Sequence, residues 1–284
     1  MIEPARRFAF TPIAGLVLAA ICILGGLLME NGALGDVGQV TAALIVFGGT
    51  IGAVLIGTPN AVLLSAFRRG LTLFWDNVED TSKMIDDLIV YAKKARGAGI
   101  LALDSEIENM EEPFLRKGMM LLVDGVEAAE IRRVMELDLI IAENHAENDA
   151  KVFEIAAGLA PTIGIVGAVM GLIQVMKHLE SLKDVGHGIA VAFVATIYGV
   201  GFANLILLPI TNRIRIRSLR TSQFRELIIE GILNIQAGVN PGLMVRTLDG
   251  FEPRPGGARK SPEAEGPPAA QPEHAASTNA AGTA

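Results

Sequence analysis

The sequence is short of charge, of cysteine and of any motif for nucleotide or metal chemistry. Asp, Glu, Lys and Arg make up only 19% of its 284 residues, against about 25% in an ordinary soluble protein. The deficit is concentrated. Residues 8–29, 37–67, 155–176 and 185–212 contain none of the four types, 103 residues together, so the charged residues crowd into the remainder at roughly 30%. This split argues against a soluble single-core enzyme. The lone cysteine, Cys22, has no partner for an internal disulfide and lies inside an apolar run, where it reads as a packing residue. No GxxxxGK[ST] loop is present to hold ATP. His145, His178, His187 and His274 are scattered without metal-ligand spacing, so no cofactor is expected. The net charge of −7 lacks the basic footprint of a nucleic-acid binder.

What is present in the charge-free stretches is length. Each reaches the roughly 20 residues needed to cross about 30 Å of hydrocarbon as a helix. The fold class expected is therefore all-α: a polytopic membrane protein with four transmembrane helices, 12–29, 40–65, 155–176 and 189–210, and a helical cytoplasmic domain. Arg6 and Arg7 precede the first span, Arg68 and Arg69 follow the second, and Arg213, Arg215, Arg217 and Arg220 follow the fourth. The positive-inside rule then puts both termini and the long middle segment in the cytoplasm. Arg6-Arg7 is not read as a twin-arginine signal, nor Cys22 as a lipoprotein site. The apolar run is too long for a signal peptide, and a second span follows at once.

These boundaries divide the chain into 1–67 with the first two spans, a cytoplasmic domain 68–154, the span pair 155–212, a cytoplasmic helix and turn 213–251, and a disordered tail 252–284 rich in Pro, Gly, Ala and Ser. Within the cytoplasmic domain Met84, Ile85, Leu88, Ile89 and Ala92 recur at helical spacing, and Gly97-Ala98-Gly99 marks a break. Pro113 suits the first turn of a helix reaching about Val123. Asp124 and Glu127 resemble a capping box. No Gly or Pro interrupts the chain from there to Gly158, so one helix of about 50 residues, roughly 75 Å, is expected to run into the third span. A further helix is expected from Ile214 to about Gln236, with Asn240-Pro241-Gly242 as a turn. The acidic run 106–112 reads as a solvated or docking face rather than a catalytic carboxylate pair.

No span carries an ionisable side chain, which is where a pump or transporter keeps its ion carrier. The third and fourth spans offer instead Pro161, Thr162, Gln174, Thr196, Tyr198, Asn204 and Pro209, among many small residues. The Gly167/Gly171 pair fits ordinary helix packing, or a close-packed ring around another chain's helix that supplies the missing carboxylate. Pro161 can kink its helix, and Pro209 fits equally a helix end.

Four spans with the main cytoplasmic segment between the second and third resemble the MotA/PomA-type stator subunits of the bacterial flagellar motor. The likeness is carried by Ala95-Arg96-Gly97-Ala98-Gly99-Ile100-Leu101-Ala102-Leu103-Asp104, by Lys117-Gly118 through Leu121-Leu122-Val123-Asp124-Gly125, by Ala160-Pro161-Thr162-Ile163-Gly164-Ile165-Val166-Gly167 and by Thr196-Ile197-Tyr198-Gly199. It extends over residues 12–248. The resemblance implies a non-enzymatic, ion-conducting subunit. Five copies would surround the helices of a MotB/PomB-like single-span partner whose aspartate carries the ion. Arg96 would engage the rotor protein FliG, and Asp104 stands where the family has an acidic residue, more often Glu. Pro161 and Pro209 match the two prolines that couple ion passage to movement. Sodium-type members place a threonine at the position of Ala168 as well as at Thr196, so the missing hydroxyl implies a proton rather than sodium. An ExbB/TolQ-type energiser of an envelope process is the alternative, disfavoured because those relatives typically have three spans.

Overall fold

The computed structural model describes residues 6–8, 10–73, 75–77 and 79–251. The expected disordered tail, 252–284, lies outside the described residues. The described residues are almost wholly helical, and four of their helices have the length and hydropathy of membrane spans. They are α1, Phe10–Met29; α2, Leu34–Gly57; α6, Ala128–Lys177; and α7, Leu182–Gln236. Between α2 and α6 come α3, Asn60–Thr72; α4, Thr81–Ala98; and α5, Pro113–Val123, while α8, Pro241–Leu248, follows α7.

The second span is shorter than the charge-free stretch suggested. Thr58 is extended, as a residue before proline is held, and α2 ends at Gly57. Pro59 then precedes a separate helix, α3, so residues 60–65 do not continue the span to 65 as expected. Counting charges does not register a proline. One π-helical turn, Leu44–Gly48, lies within α2.

The long helix expected into the third span is present as α6, 50 residues without a break. It starts one turn differently from the expected capping box. Gly125 sits at φ 76°, a conformation favouring glycine, and the Asp124 amide still bonds to the Met120 carbonyl. Asp124 therefore closes α5, and Glu127 takes the N-cap position of α6 with no side-chain cap.

The fourth span and the helix after it are one element of 55 residues, rather than a span ending near 210 and a second helix from 214. Pro209 does not stop the helix. A π-helical turn, Ala203–Leu207, lies just before it and widens the backbone where a proline would otherwise crowd the preceding turn. Asn240-Pro241-Gly242 also differs from the expected turn. The Asn240 side chain accepts from the Gly242 amide and caps α8, with Pro241 in its first turn. Two three-residue strands, β1 (Arg6–Phe8) and β2 (Trp75–Asn77), pair antiparallel and had no counterpart in the expected fold.

A core of large side chains unites α4, α5, the start of α6 and the end of α7. Ile85, Leu88, Met119, Leu122, Ile131, Met135, Leu227, Ile228 and Ile232 are all essentially inaccessible there. Residues from 68–154 and from 213–251 thus share one hydrophobic centre. In contrast, α1 buries none of its residues.

Candidate functional site

The third and fourth spans meet along a seam of small residues. From α6 come Ala160, Gly164, Gly167 and Gly171, and from α7 come Gly188, Ala192, Ala195 and Gly199, all buried. A Cβ on Gly199 would stand 2.6 Å from the Ala160 carbonyl oxygen and 3.1 Å from Pro161 Cα. One on Gly171 would stand 2.8 Å from the Gly188 carbonyl oxygen and from the Ala192 amide. No side chain larger than hydrogen fits at either place without moving backbone. The Gly167/Gly171 face is thus occupied within the chain, against α7 and Ile45 of α2, which is ordinary helix packing rather than the face of a ring around another helix.

Pro161 is half-buried at this seam, opposite Gly199, and Thr196 lies on the same line, its Cα 3.5 Å from where a Gly164 Cβ would be. Proline has no N–H to offer Ala157's carbonyl, so α6 loses one rung at the point of backbone contact. Thr162 points away, exposed, and its hydroxyl donates to the Leu159 carbonyl at 2.7 Å. The half-buried Thr196 hydroxyl donates to the Ala192 carbonyl at 3.2 Å. Ala168, half-buried, adds only a methyl group. Tyr198 is used within the chain: its hydroxyl donates to the Val37 carbonyl and accepts from the Gln39 amide at 3.3 Å. Its ring stacks on Phe47 with centroids 5.8 Å apart. It therefore ties the start of α2 to α7. Pro209 is exposed on α7, away from this seam.

At the arginine-bearing ends of these spans the charges resume as specific bonds. Asp149 on α6 is only 3% exposed. It accepts from Arg69 Nε at 2.6 Å and from the Ser65 hydroxyl, which fastens α3 to the long helix. Arg215 of α7 grips Glu147 and Glu154 of α6, at 2.6 and 2.7 Å. That hydrogen bonding holds the Glu147 carboxyl below its ordinary range and raises the Arg215 guanidinium. Arg213 donates to the Leu73 carbonyl at 3.1 Å and Arg217 to that of Thr72 at 3.1 Å, so both cap the end of α3. The sequence reading used these arginines only to orient the chain. Their partners lie some 60 to 145 positions away along the chain, a separation that no local spacing signals.

Arg96 and Asp104 lie on elements other than those of the seam, at the outer surface of the large-side-chain core. Arg96 is in the last turn of α4 and Asp104 opens the helical turn after the 3-10 segment Ile100–Leu103, with Gly99 at φ 84° between them. Both are exposed, and neither has a hydrogen-bond or ion-pair partner among the described residues. Leu101, between them, is 75% exposed. The neighbouring acids are engaged: Glu106 pairs with Lys94, Glu111 with Lys83, and Glu112 caps α5. That leaves the acidic run as a surface rather than a catalytic pair. Among the described residues no group of three His, Cys, Asp or Glu is placed to hold a metal.

Two family models match this chain. One, motility protein A N-terminal, covers residues 13–97, and the other, the MotA/TolQ/ExbB proton channel family, covers 106–226. Motility protein A of Bacillus subtilis (strain 168) is 31% identical over 84% of this chain and 88% of its own length. Chemotaxis protein PomA of Vibrio alginolyticus is 31% identical over 78% of this chain and 85% of its own. Among solved structures, that of C. jejuni MotAB superposes with a TM-score of 0.82 at 30% identity, covering 89% of this chain and 97% of that one. The flagellar MotAB stator complex from Bacillus subtilis gives 0.78 at 31% identity, over 83% and 93%.

Proposed function

The chain belongs to the motility protein A family and is a membrane-embedded flagellar stator subunit, and from that premise we propose how it works. Five copies enclose the helices of a MotB-like single-span partner in the bacterial inner membrane, with both termini in the cytoplasm. The partner contributes the aspartate that carries the ion, because the charge-free spans of this chain hold no Asp, Glu, Lys or Arg. Its role is non-enzymatic: it converts the free energy of ion flow into motion against the rotor protein FliG.

The observation that carries this reading is the continuity of α6. A single helix of 50 residues begins in the cytoplasmic core at Ile131 and Met135 and ends beyond the seam at Pro161. At about 1.5 Å per residue it spans about 75 Å. A change in charge on the partner carboxylate alters the field around Pro161, where the helix lacks one hydrogen bond and its backbone touches α7. Because packed glycine seams slide or tilt as rigid backbones, a displacement there is delivered to the core that presents Arg96 and Asp104. Those two unpaired charges are the proposed rotor contact, and Arg96→Glu is expected to weaken swimming while leaving membrane assembly intact. A compensating charge reversal on the rotor should restore it, and undiminished swimming with Arg96→Glu would remove Arg96 from the contact.

The proposed ion is the proton. Sodium has to exchange hydration water for several oxygens, and Ala168 offers none, which leaves Thr196 to supply one hydroxyl where the sodium-type pattern has two. Swimming speed and stator conductance at fixed proton-motive force should be unchanged in sodium-free medium. Loss of either without sodium would overturn the assignment.

A further inference from the structure

The helix α3 has a face that the stator reading does not use. Its inner side, with Ala66 buried, packs against Val152, Ala156 and Ala157 of α6. Its outer side shows Leu64, Phe67 and Leu71, between 51% and 63% exposed. Their spacing of three and four puts them in one row along the helix. Only two residues, Thr58 and Pro59, separate the helix from the end of the second span. An apolar row at that level, on an amphipathic segment with arginines at its edge, matches a helix lying in the plane of the membrane interface.

Beside the row is an open depression walled by Ala61, Leu64, Arg68, Arg69, Thr72 and Arg217. Its charges do not cancel. The one carboxylate at its base, Asp149, is committed to Arg69 and Ser65. Arg217 donates to the Thr72 and Trp75 carbonyls, which are neutral acceptors, and its charge is only partly offset by Glu79, which also feels Arg225. Arg68 is exposed and has no partner among the described residues. The unpaired Arg68 guanidinium, with the half-buried Arg217 beside it, thus makes the cleft positive beneath an apolar lip.

We propose that this depression binds the phosphate of an anionic phospholipid of the cytoplasmic leaflet, with Arg68 and Arg217 on the phosphate oxygens and an acyl chain along Leu64, Phe67 and Leu71. The chemistry selects among lipids. Planar guanidinium groups suit phosphate. A headgroup such as glycerol leaves the phosphate charge uncancelled, whereas the ammonium of choline or ethanolamine would meet the same arginines and be repelled. The cytoplasmic leaflet also supplies anionic lipid on this side of the membrane.

The test uses the intact assembly, this chain with its single-span partner, reconstituted in nanodiscs containing phosphatidylglycerol and phosphatidylcholine. Photocrosslinkable phosphatidylglycerol should label α3 in preference to the equivalent choline lipid. Arg68→Gln should lower that preference about fivefold, the factor corresponding to about 1 kcal/mol per interfacial arginine. The double variant Arg68→Gln/Arg217→Gln should lower it further. Arg246→Gln, an exposed charge on α8, should leave it unchanged. Labelling of α3 that is equal for both lipids, or insensitive to Arg68→Gln, overturns the proposal. So does displacement of the probe by millimolar inorganic phosphate, which would make this a site for a soluble anion. Should the arginine variants instead break up the assembly on size exclusion while lipid preference in the surviving fraction stays the same, the face is a contact between subunits and the proposal fails.

Discussion

The large-side-chain core and the seam between α6 and α7 are built on opposite rules although the same two helices run through both. In the core, fully buried Ile, Leu and Met side chains from four helices fill the space between backbones. At the seam there are almost no side chains, and carbonyl oxygens lie against Cα atoms. The solvent explains the difference. In water, burying apolar area is itself the driving force. In lipid a leucine gains little by leaving acyl chains for another helix, so association relies on close backbone approach through glycine and alanine. One helix therefore changes its packing code along its length, and the change falls where α6 passes from the aqueous core into the span.

The sharpest way to break this comparison is to enlarge a seam residue. Gly199→Leu puts its first side-chain atom 2.6 Å from the Ala160 carbonyl oxygen, a clash that only backbone displacement relieves. Swimming and ion conductance are expected to be lost, with the cytoplasmic core still showing native hydrogen-exchange protection. Normal conductance would mean the seam is not rigid and would remove it from the coupling route.

The converse substitution sharpens the same contrast at a smaller scale. Leu88 is inaccessible in the core, so Leu88→Ala should destabilise it by about 2–5 kcal/mol through lost burial and a residual cavity. Leu18 on α1 is 63% exposed, and Leu18→Ala should change stability by less than about 0.5 kcal/mol. Hydrogen exchange of α4 amides reads the first, and thermal unfolding in detergent compares both. Equal effects at the two positions would show that the core is not held by burial.

This division also decides what could be read from the sequence. The length of α6 was legible because nothing between Gly125 and Gly158 breaks a helix, and Pro113 and Gly99 punctuate the chain where local rules say they should. The four spans were legible as absences of charge. Boundaries that depend on one backbone atom were not. Pro59 ends α2 inside a charge-free run, the π-helical turn before Pro209 lets α7 continue, and Asp124 caps the helix behind it rather than the one ahead. At the candidate site Pro161, Thr196 and Gly199 come together at one seam, a meeting that the sequence did not signal, while Pro209 lies apart from it. The bonds of Arg213, Arg215 and Arg217 to residues on distant helices needed the fold, as did the commitment of Tyr198 to the start of α2.

The smallest effect expected concerns pH, and it belongs to one side of the comparison only. The seam has no titratable group, so protonation acts on the stability of this chain through residues outside it. Glu79 is the instructive case. Burial raises its carboxyl above the ordinary value of 4.5, opposed by the Thr221 hydroxyl, which donates to it at 2.9 Å, and by the charges of Arg225 and Arg217, while Glu112 adds to the rise. A carboxyl that holds its proton more tightly when folded favours the folded state below its ordinary value. That contribution is lost as pH rises through the raised folded value. Glu147 has the opposite sign: held low by Arg215, its contribution is present above the ordinary value and is lost as pH falls through the lowered one. Glu79→Gln keeps an acceptor for Thr221 and abolishes the charge. The variant should match the parent near pH 4 and exceed its stability at pH 7.5 by less than about 1 kcal/mol, the usual worth of such a shift discounted for the group's partial exposure. Unfolding midpoints measured across that range give the answer. A constant offset at both pH values would place the effect in packing rather than in the proton.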